Sequence, residues 1–172
     1  MDFKSLIRPG RGAADIAPLL ADATAFRALV EALSAPFIAA EVAKVACVEG
    51  RGFLLGAPVA FHLSAGIAML RFAGRLKTRQ PVFASDFVDY AGTHKRLEIA
   101  ADAIVAGQRV LLVDDWTETG ATLRAAIGLI ERCGGVVVGV SVLMDDTAPP
   151  TRAFLHRYAF HSAAATAPGD QF

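Results

Sequence analysis

The sequence is poor in cysteine, carries no excess of either charge and lacks a long unbroken apolar run. Its two cysteines, Cys47 and Cys133, form neither a disulfide framework nor a metal-ligand spacing, and read as buried reduced thiols. The four histidines, His62, His94, His156 and His161, show none of the close-pair or i,i+4 spacings of a zinc site. Seventeen basic and seventeen acidic residues cancel, which removes the long-range field that gathers nucleic-acid phosphates. Although 54% of the residues are hydrophobic, charge or glycine interrupts each run before the ~20 residues that span a bilayer. The opening "MDFKSLIRPGRG" has no apolar core followed by a small-residue cleavage site, so a secretory signal is not supported. A cytoplasmic protein that engages neither nucleic acid nor membrane is expected.

The 172 residues fit one domain with a substantial core. In "ADATAFRALVEALSAPF", Phe26, Leu29, Val30 and Leu33 repeat at helical spacing behind Asp22, a natural N-cap. "VAKVACVEGRG" reads as a short strand closed by Gly50 and Gly52, and "FLLGAPVAFHL" as a buried helix with Pro58 in its first turns. "GIAMLRF" is a further strand. The stretch "AGRLKTRQPVFASDFVDYAGTHKR" has no sustained period and reads as a long excursion and lid candidate, with a surface insertion or β-hairpin as the alternative.

"RVLLVDD" and "VVVGVSVLMDD" are continuously apolar, as parallel strands covered on both faces are. Between them Leu123, Ala126, Ile127 and Ile130 mark a helix that Gly134 and Gly135 end. The tail "HSAAATAPGDQF" is small and polar and reads as frayed. Strands alternating with helices predict an α/β domain around a mostly parallel sheet, with ligands at the carboxyl ends of its strands.

The chemistry gathers in "VLLVDDWTETGAT". A buried strand ending in Asp114 and Asp115 delivers carboxylates to the functional edge of the sheet. Glu118 to Thr122 then open a helix whose unpaired N–H groups, with the hydroxyls of Thr117, Thr119 and Thr122, suit a phosphate. Gly120 and Ala121 allow close approach to the backbone. Acids beside a phosphate nest make sense for a sugar phosphate, whose hydroxyls donate to the carboxylates while the N–H groups hold the phosphate. The alternative is that these acids are merely capping or solvated. No P-loop and no Rossmann fingerprint is present.

These thirteen residues resemble the phosphoribosyl pyrophosphate signature of type I phosphoribosyltransferases. From "RPGRGAADIAPLL" to "VSVLMDD" the chain is similar to the adenine phosphoribosyltransferase subfamily: "VEGRGFLLGAPVAFHL" resembles its pyrophosphate-binding turn, "LRFAGRL" the strand into its flexible loop and "DYAGTHKRLEI" the loop's return. The resemblance implies a type I phosphoribosyltransferase fold, with a mostly parallel central sheet flanked by helices, a small N-terminal hood over residues 1–20 and a flexible lid over about residues 75–96. It implies that Asp114 and Asp115 contact the ribose hydroxyls and that Glu118, Thr119, Gly120, Ala121 and Thr122 hold the 5′-phosphate. Glu49, Gly50 and Arg51 would form the pyrophosphate turn, with Arg71 and Arg75 adding positive charge, and Asp89 would stand where relatives carry a loop Glu acting on the base or leaving group. The partners implied are phosphoribosyl pyrophosphate and a nucleobase, with Mg2+ held mainly by the substrate rather than by protein ligands, in a homodimer.

Four positions depart from the subfamily. Ala13 and Ala14 stand where a Phe-Arg pair is usual in the hood, Phe72 replaces a common Lys, and Glu118 replaces a common Ala. Glu118 is placed either to exchange a proton or hydrogen-bond with a purine N7 or to favour the helix dipole. Trp116 either packs in the core or approaches the ligand. Adenine is the leading acceptor; another base, or a non-catalytic sensor of phosphoribosyl pyrophosphate or a nucleotide, is the alternative.

Overall fold

The apolar runs of the sequence assemble into one sheet in the computed structural model, which describes residues 1–10 and 13–166. The strands are β1 (Lys44–Val48), β2 (Gly66–Phe72), β3 (Val82–Val88), β4 (His94–Ala100), β5 (Arg109–Thr117), β6 (Val136–Asp145) and β7 (Phe160–Ala165). They lie in the order β3-β4-β2-β1-β5-β6-β7. The pairs among β2, β1, β5, β6 and β7 are parallel, and only the β2–β4 and β3–β4 pairs are antiparallel. The expected mostly parallel sheet is therefore present.

Among the described residues five α-helices flank the sheet: α1 (Ala17–Ala21), α2 (Ala23–Ser34), α3 (Arg51–His62), α4 (Ala121–Arg132) and α5 (Pro149–Leu155). Side-chain alternation along the central strands divides the core in two. Val45, Leu111 and Val113 pack with Leu29, Leu33, Leu55 and Val59 of α2 and α3, whereas Ala46, Val48, Val110 and Leu112 pack with Leu123, Ile127 and Ile130 of α4. β1 thus sends its helix to one face, and its neighbour β5 sends its helix to the other. Adjacent strands whose connections leave on opposite faces open a crevice at their carboxyl ends, the usual ligand position in such sheets.

The expected helix behind Asp22 is α2, and the Asp22 Oδ1 accepts from the N–H groups of Thr24 at 2.9 Å and Ala25 at 2.8 Å. The stretch Ala23–Ala40, with mean hydropathy 1.3, is long and apolar enough to cross a membrane by composition alone. Its Leu29, Leu33 and Phe37 are instead buried in the domain core, as in an ordinary core helix.

Three sequence expectations need correction. Most of "AGRLKTRQPVFASDFVDYAGTHKR" is not an irregular lid: β3 and β4 pair from Val82–Ala100 to Val88–His94 as an antiparallel hairpin, leaving 73–81 and 89–93 as connections. Exposed and buried residues do not alternate cleanly along β3, which is why no period was visible. Pro58 lies well inside α3 rather than in its first turns. Residues 161–165, expected to fray, form most of β7 on the β6 edge; residues 167–172 of that tail lie outside the described residues.

Replacing Asp22 with Ala removes both cap bonds and is expected to cost ~1 kcal/mol. For a domain of this size that lowers the thermal midpoint by about 2–4 °C, measurable by circular dichroism.

Candidate active site

The carboxyl ends of β1 and β5 open into a cleft of about 640 Å³. One wall is the turn from β1 into α3, with Glu49, Gly50 and Arg51; the other runs from Asp114 at the end of β5 to Thr122 in α4. Gly50 adopts φ 103°, a conformation open to glycine and strained for other residues. Gly52 follows at a close approach, since a Cβ there would stand 2.8 Å from Asp114 Oδ1. The small residues of "EGRG" therefore let α3 begin directly against the acids of the neighbouring strand.

Asp114 and Asp115 are both buried. Asp114 Oδ1 accepts the Asp115 N–H at 3.0 Å, and Arg51 Nη2 lies 2.7 Å from Asp115 Oδ2. This last contact is an ionic approach rather than an aligned bond, because Asp115 Oδ2 has no partner in hydrogen-bond geometry. Arg51 Nη1 also donates to the Ala14 carbonyl at 2.6 Å, tying the N-terminal segment to the acids. Burial, reinforced by the charge of Asp115, pushes the Asp114 carboxyl well above the usual carboxylate range. Burial and the Asp114 charge likewise push the Cys47 thiol up to about 12, which makes it inert as a nucleophile at neutral pH.

The loop between β5 and α4 carries features suited to an anion. Gly120, at φ 70°, is the residue before α4, so the first N–H groups of a twelve-residue helix face the cleft without intrahelical partners. Thr117 is buried and its Oγ1 has no partner among the described residues. Thr117, Glu118, Thr119, Gly120, Ala121 and Thr122 all line the cleft. Trp116 packs against the core on the α2 and α3 side, as one of its alternatives expects, and also lines the cleft.

Arg71, Arg75 and Asp89 are placed differently, since none of them lines the cleft. Arg71 Nε and Arg75 Nη1 approach Glu49 at 3.2 and 2.7 Å, and the Phe72 N–H donates to the same carboxylate at 3.0 Å. Their charge acts on Glu49, which itself lines the cleft. Asp89 occupies the β3–β4 turn, where it accepts from Ala91 N at 3.0 Å and Thr93 N at 2.9 Å and pairs with Lys95 Nζ at 2.7 Å. Lys95, with those N–H groups, holds the Asp89 carboxyl below its usual range. The expected role of Asp89 at a base or leaving group finds no support in this placement.

Sequence reasoning missed Tyr90, Lys95 and Asp146, which line the cleft. Lys95 Nζ stands 5.3 Å over the Phe72 ring, so β4 supplies a cation beside the strand position where the usual Lys is absent. Tyr90 and Lys95 were hidden because the hairpin gave no periodic signal. Asp146 had one: "MDD" after an apolar strand repeats the pattern of "VDD" on its neighbour.

Burial pushes the Glu49 carboxyl up, but hydrogen bonds from Arg71, Arg75 and the Phe72 N–H outweigh it and hold the group at about 2, below its ordinary 4.5. A depressed folded-state value stabilises above the unfolded value and is lost as pH falls. Urea midpoints should therefore fall between pH 4.5 and 2 with a contribution from Glu49, and Glu49→Gln should remove that part of the slope.

Residues 20–158 match the model of the phosphoribosyl transferase domain family. The adenine phosphoribosyltransferase of Thermobifida fusca is 44% identical over 84% of this chain and 80% of its own, and that of Rhodopirellula baltica is 38% identical over 94% and 77%. Among solved structures, the adenine phosphoribosyltransferase of Rhodothermus marinus superposes with a TM-score of 0.85 at 34% identity, covering 95% of this chain and 96% of the other. The Giardia lamblia enzyme, solved with 9-deazaadenine, gives 0.85 at 28% identity over 96% and 97%. A crevice at a switch point between two strands, paired acids, a phosphate-ready helix start and these similarities agree: the chain belongs to the phosphoribosyltransferase family, on the side of the adenine enzymes.

Proposed function

We propose that the protein transfers the phosphoribosyl group of phosphoribosyl pyrophosphate to adenine, forming AMP and pyrophosphate, as a cytoplasmic homodimer. The observation that carries the reading is Asp114 and Asp115, buried at the strand end and facing the same cleft as the Thr117 to Thr122 loop. The loop N–H groups and hydroxyls would bind the 5′-phosphate, and Asp114 and Asp115 would accept hydrogen bonds from the ribose hydroxyls. The turn at Glu49, Gly50 and Arg51 would receive the pyrophosphate.

In the reaction a base nitrogen forms a bond to ribose C1 while the C1–O bond breaks, and pyrophosphate leaves with the electron pair. The nitrogen gives up its proton. Glu118, exposed and lining the cleft, would receive it. Most of the acceleration would come from alignment and from fixed charge facing the leaving group.

Among the described residues, no group of three or more His, Cys, Asp or Glu side chains is arranged to hold a metal. Mg2+ favours phosphate oxygens and waters over a protein cage, so it would enter with the substrate. Bound to the diphosphate, it would neutralise charge on the leaving group.

Dimerisation is supported by the α3 side of the sheet. Ile67 and Met69 of β2 stand in register with Val45 and Cys47, which face α3. Both are exposed, as are Leu54 and Phe61 on α3 itself, with Phe61 at 89%. Large apolar side chains clustered on one face mark an interaction surface. The two free cysteines accord with a reducing compartment.

Ala13 and Ala14 line the cleft with no more than methyl groups, which favours a different or larger base as the second reading. Incubation with phosphoribosyl pyrophosphate, Mg2+ and a panel of bases decides between them. AMP and pyrophosphate should form with adenine, and Asp115→Asn should lower the rate by about 10²-fold or more. Release with another base alone would move the assignment to that base, and binding without release would make the protein a sensor.

A further inference from the structure

The loop that opens α4 is held from outside the cleft. Thr151 of α5 donates its hydroxyl to the Thr119 carbonyl at 2.9 Å, and its methyl Cγ2 occupies the space that a Cβ on residue 120 would need. Thr151 does not line the cleft. One side chain therefore fixes the carbonyl of the 119–120 peptide and also excludes any side chain at position 120.

The orientation of this peptide determines which group meets an anion. No described peptide bond is cis, and in a trans peptide the N–H points opposite to the C=O. With the Thr119 carbonyl drawn toward α5, the Gly120 N–H is turned the other way, toward the cleft that Gly120 lines. Glycine at φ 70° gives this peptide little resistance of its own to flipping, because both signs of φ are open to it. A flip would present a carbonyl oxygen to a phosphate in place of a donor.

The holder is itself anchored. Asp145, buried at the end of β6, accepts from Thr147 N at 2.9 Å and Thr147 Oγ1 at 2.6 Å and pairs with Arg152 at 3.0 Å. Leu155 enters the core, and Arg124 of α4 stacks on Phe154 at 3.7 Å. α5 is thus fastened to β6 on one side and to α4 on the other.

We infer that Thr151 is a positioning residue for phosphate binding, whose hydroxyl holds the 119–120 peptide with the Gly120 N–H toward the 5′-phosphate. The inference rests on the phosphate role given to this loop under the proposed function. Its test compares Thr151→Val, which keeps the methyl and removes the donor, with Thr151→Ser, which keeps the donor. Binding of ribose 5-phosphate is followed by calorimetry, and KM and kcat for phosphoribosyl pyrophosphate are measured alongside thermal midpoints.

Thr151→Val should weaken ribose 5-phosphate and raise KM by about three- to tenfold, the effect of one neutral hydrogen bond, with kcat changed less than KM. Thr151→Ser should restore both. Equal affinity in Thr151→Val and the parent, or a loss that Thr151→Ser fails to rescue, would overturn the inference. Absence of ribose 5-phosphate binding to the parent would overturn it too. Binding that responds to Thr151 in a protein that turns over no base would leave this inference standing and reject only the adenine reaction.

Discussion

Two carboxylates buried side by side at the end of β5 are the constraint around which the rest of the site is arranged. Asp114 loses its hydration, and the neighbouring charge of Asp115 adds to the cost of ionising it. The compensation comes from the Asp115 N–H, donated to Asp114, and from the Arg51 guanidinium beside Asp115. Arg51 reaches that position because α3 starts against β5, and α3 starts there because Gly52 leaves no Cβ to meet Asp114. The same guanidinium holds the Ala14 carbonyl, so the N-terminal segment is located by the same charge that the acids require.

Much of this was legible from residues alone. The run "RVLLVDD" could only be a strand buried on both faces, and the acids at its end had to reach the sheet's carboxyl edge. Leu123, Ala126, Ile127 and Ile130 fixed both the existence of α4 and the face it buries. The loop between them was readable because glycine and threonine have specific uses at a helix start. What failed to show was set by tertiary neighbours. β3 and β4 carry mixed side chains because they form an antiparallel edge, half exposed, so no periodicity marked them. β7 is built of small residues that β6 recruits by pairing, and nothing local distinguishes "HSAAA" from a frayed end.

The pairing of charges around Glu49 had the same character. Arg71 and Arg75 were visible as cations near the pyrophosphate turn, but a sequence cannot tell whether a cation faces ligand or a neighbouring acid. Here both are spent on Glu49, and the cations that line the cleft are Arg51 of the turn and Lys95, brought from β4 across the sheet. Charge type was legible; its direction depended on strand order, in which β4 and not β3 lies beside β2.

The cleft is also a seam between two separately packed halves. The turn that leads into α3 rests on the core shared with α2, while the loop that leads into α4 rests on the core across the sheet. Each wall takes its rigidity from a different set of buried side chains, joined through the strands and through the contact of Arg51 with Asp115. Looser packing under α4 would soften the Thr117–Thr122 wall and leave the opposite wall largely in place, and the reverse holds under α3. The two walls thus rest on largely separate foundations, and a lineage can retune one without rebuilding the other.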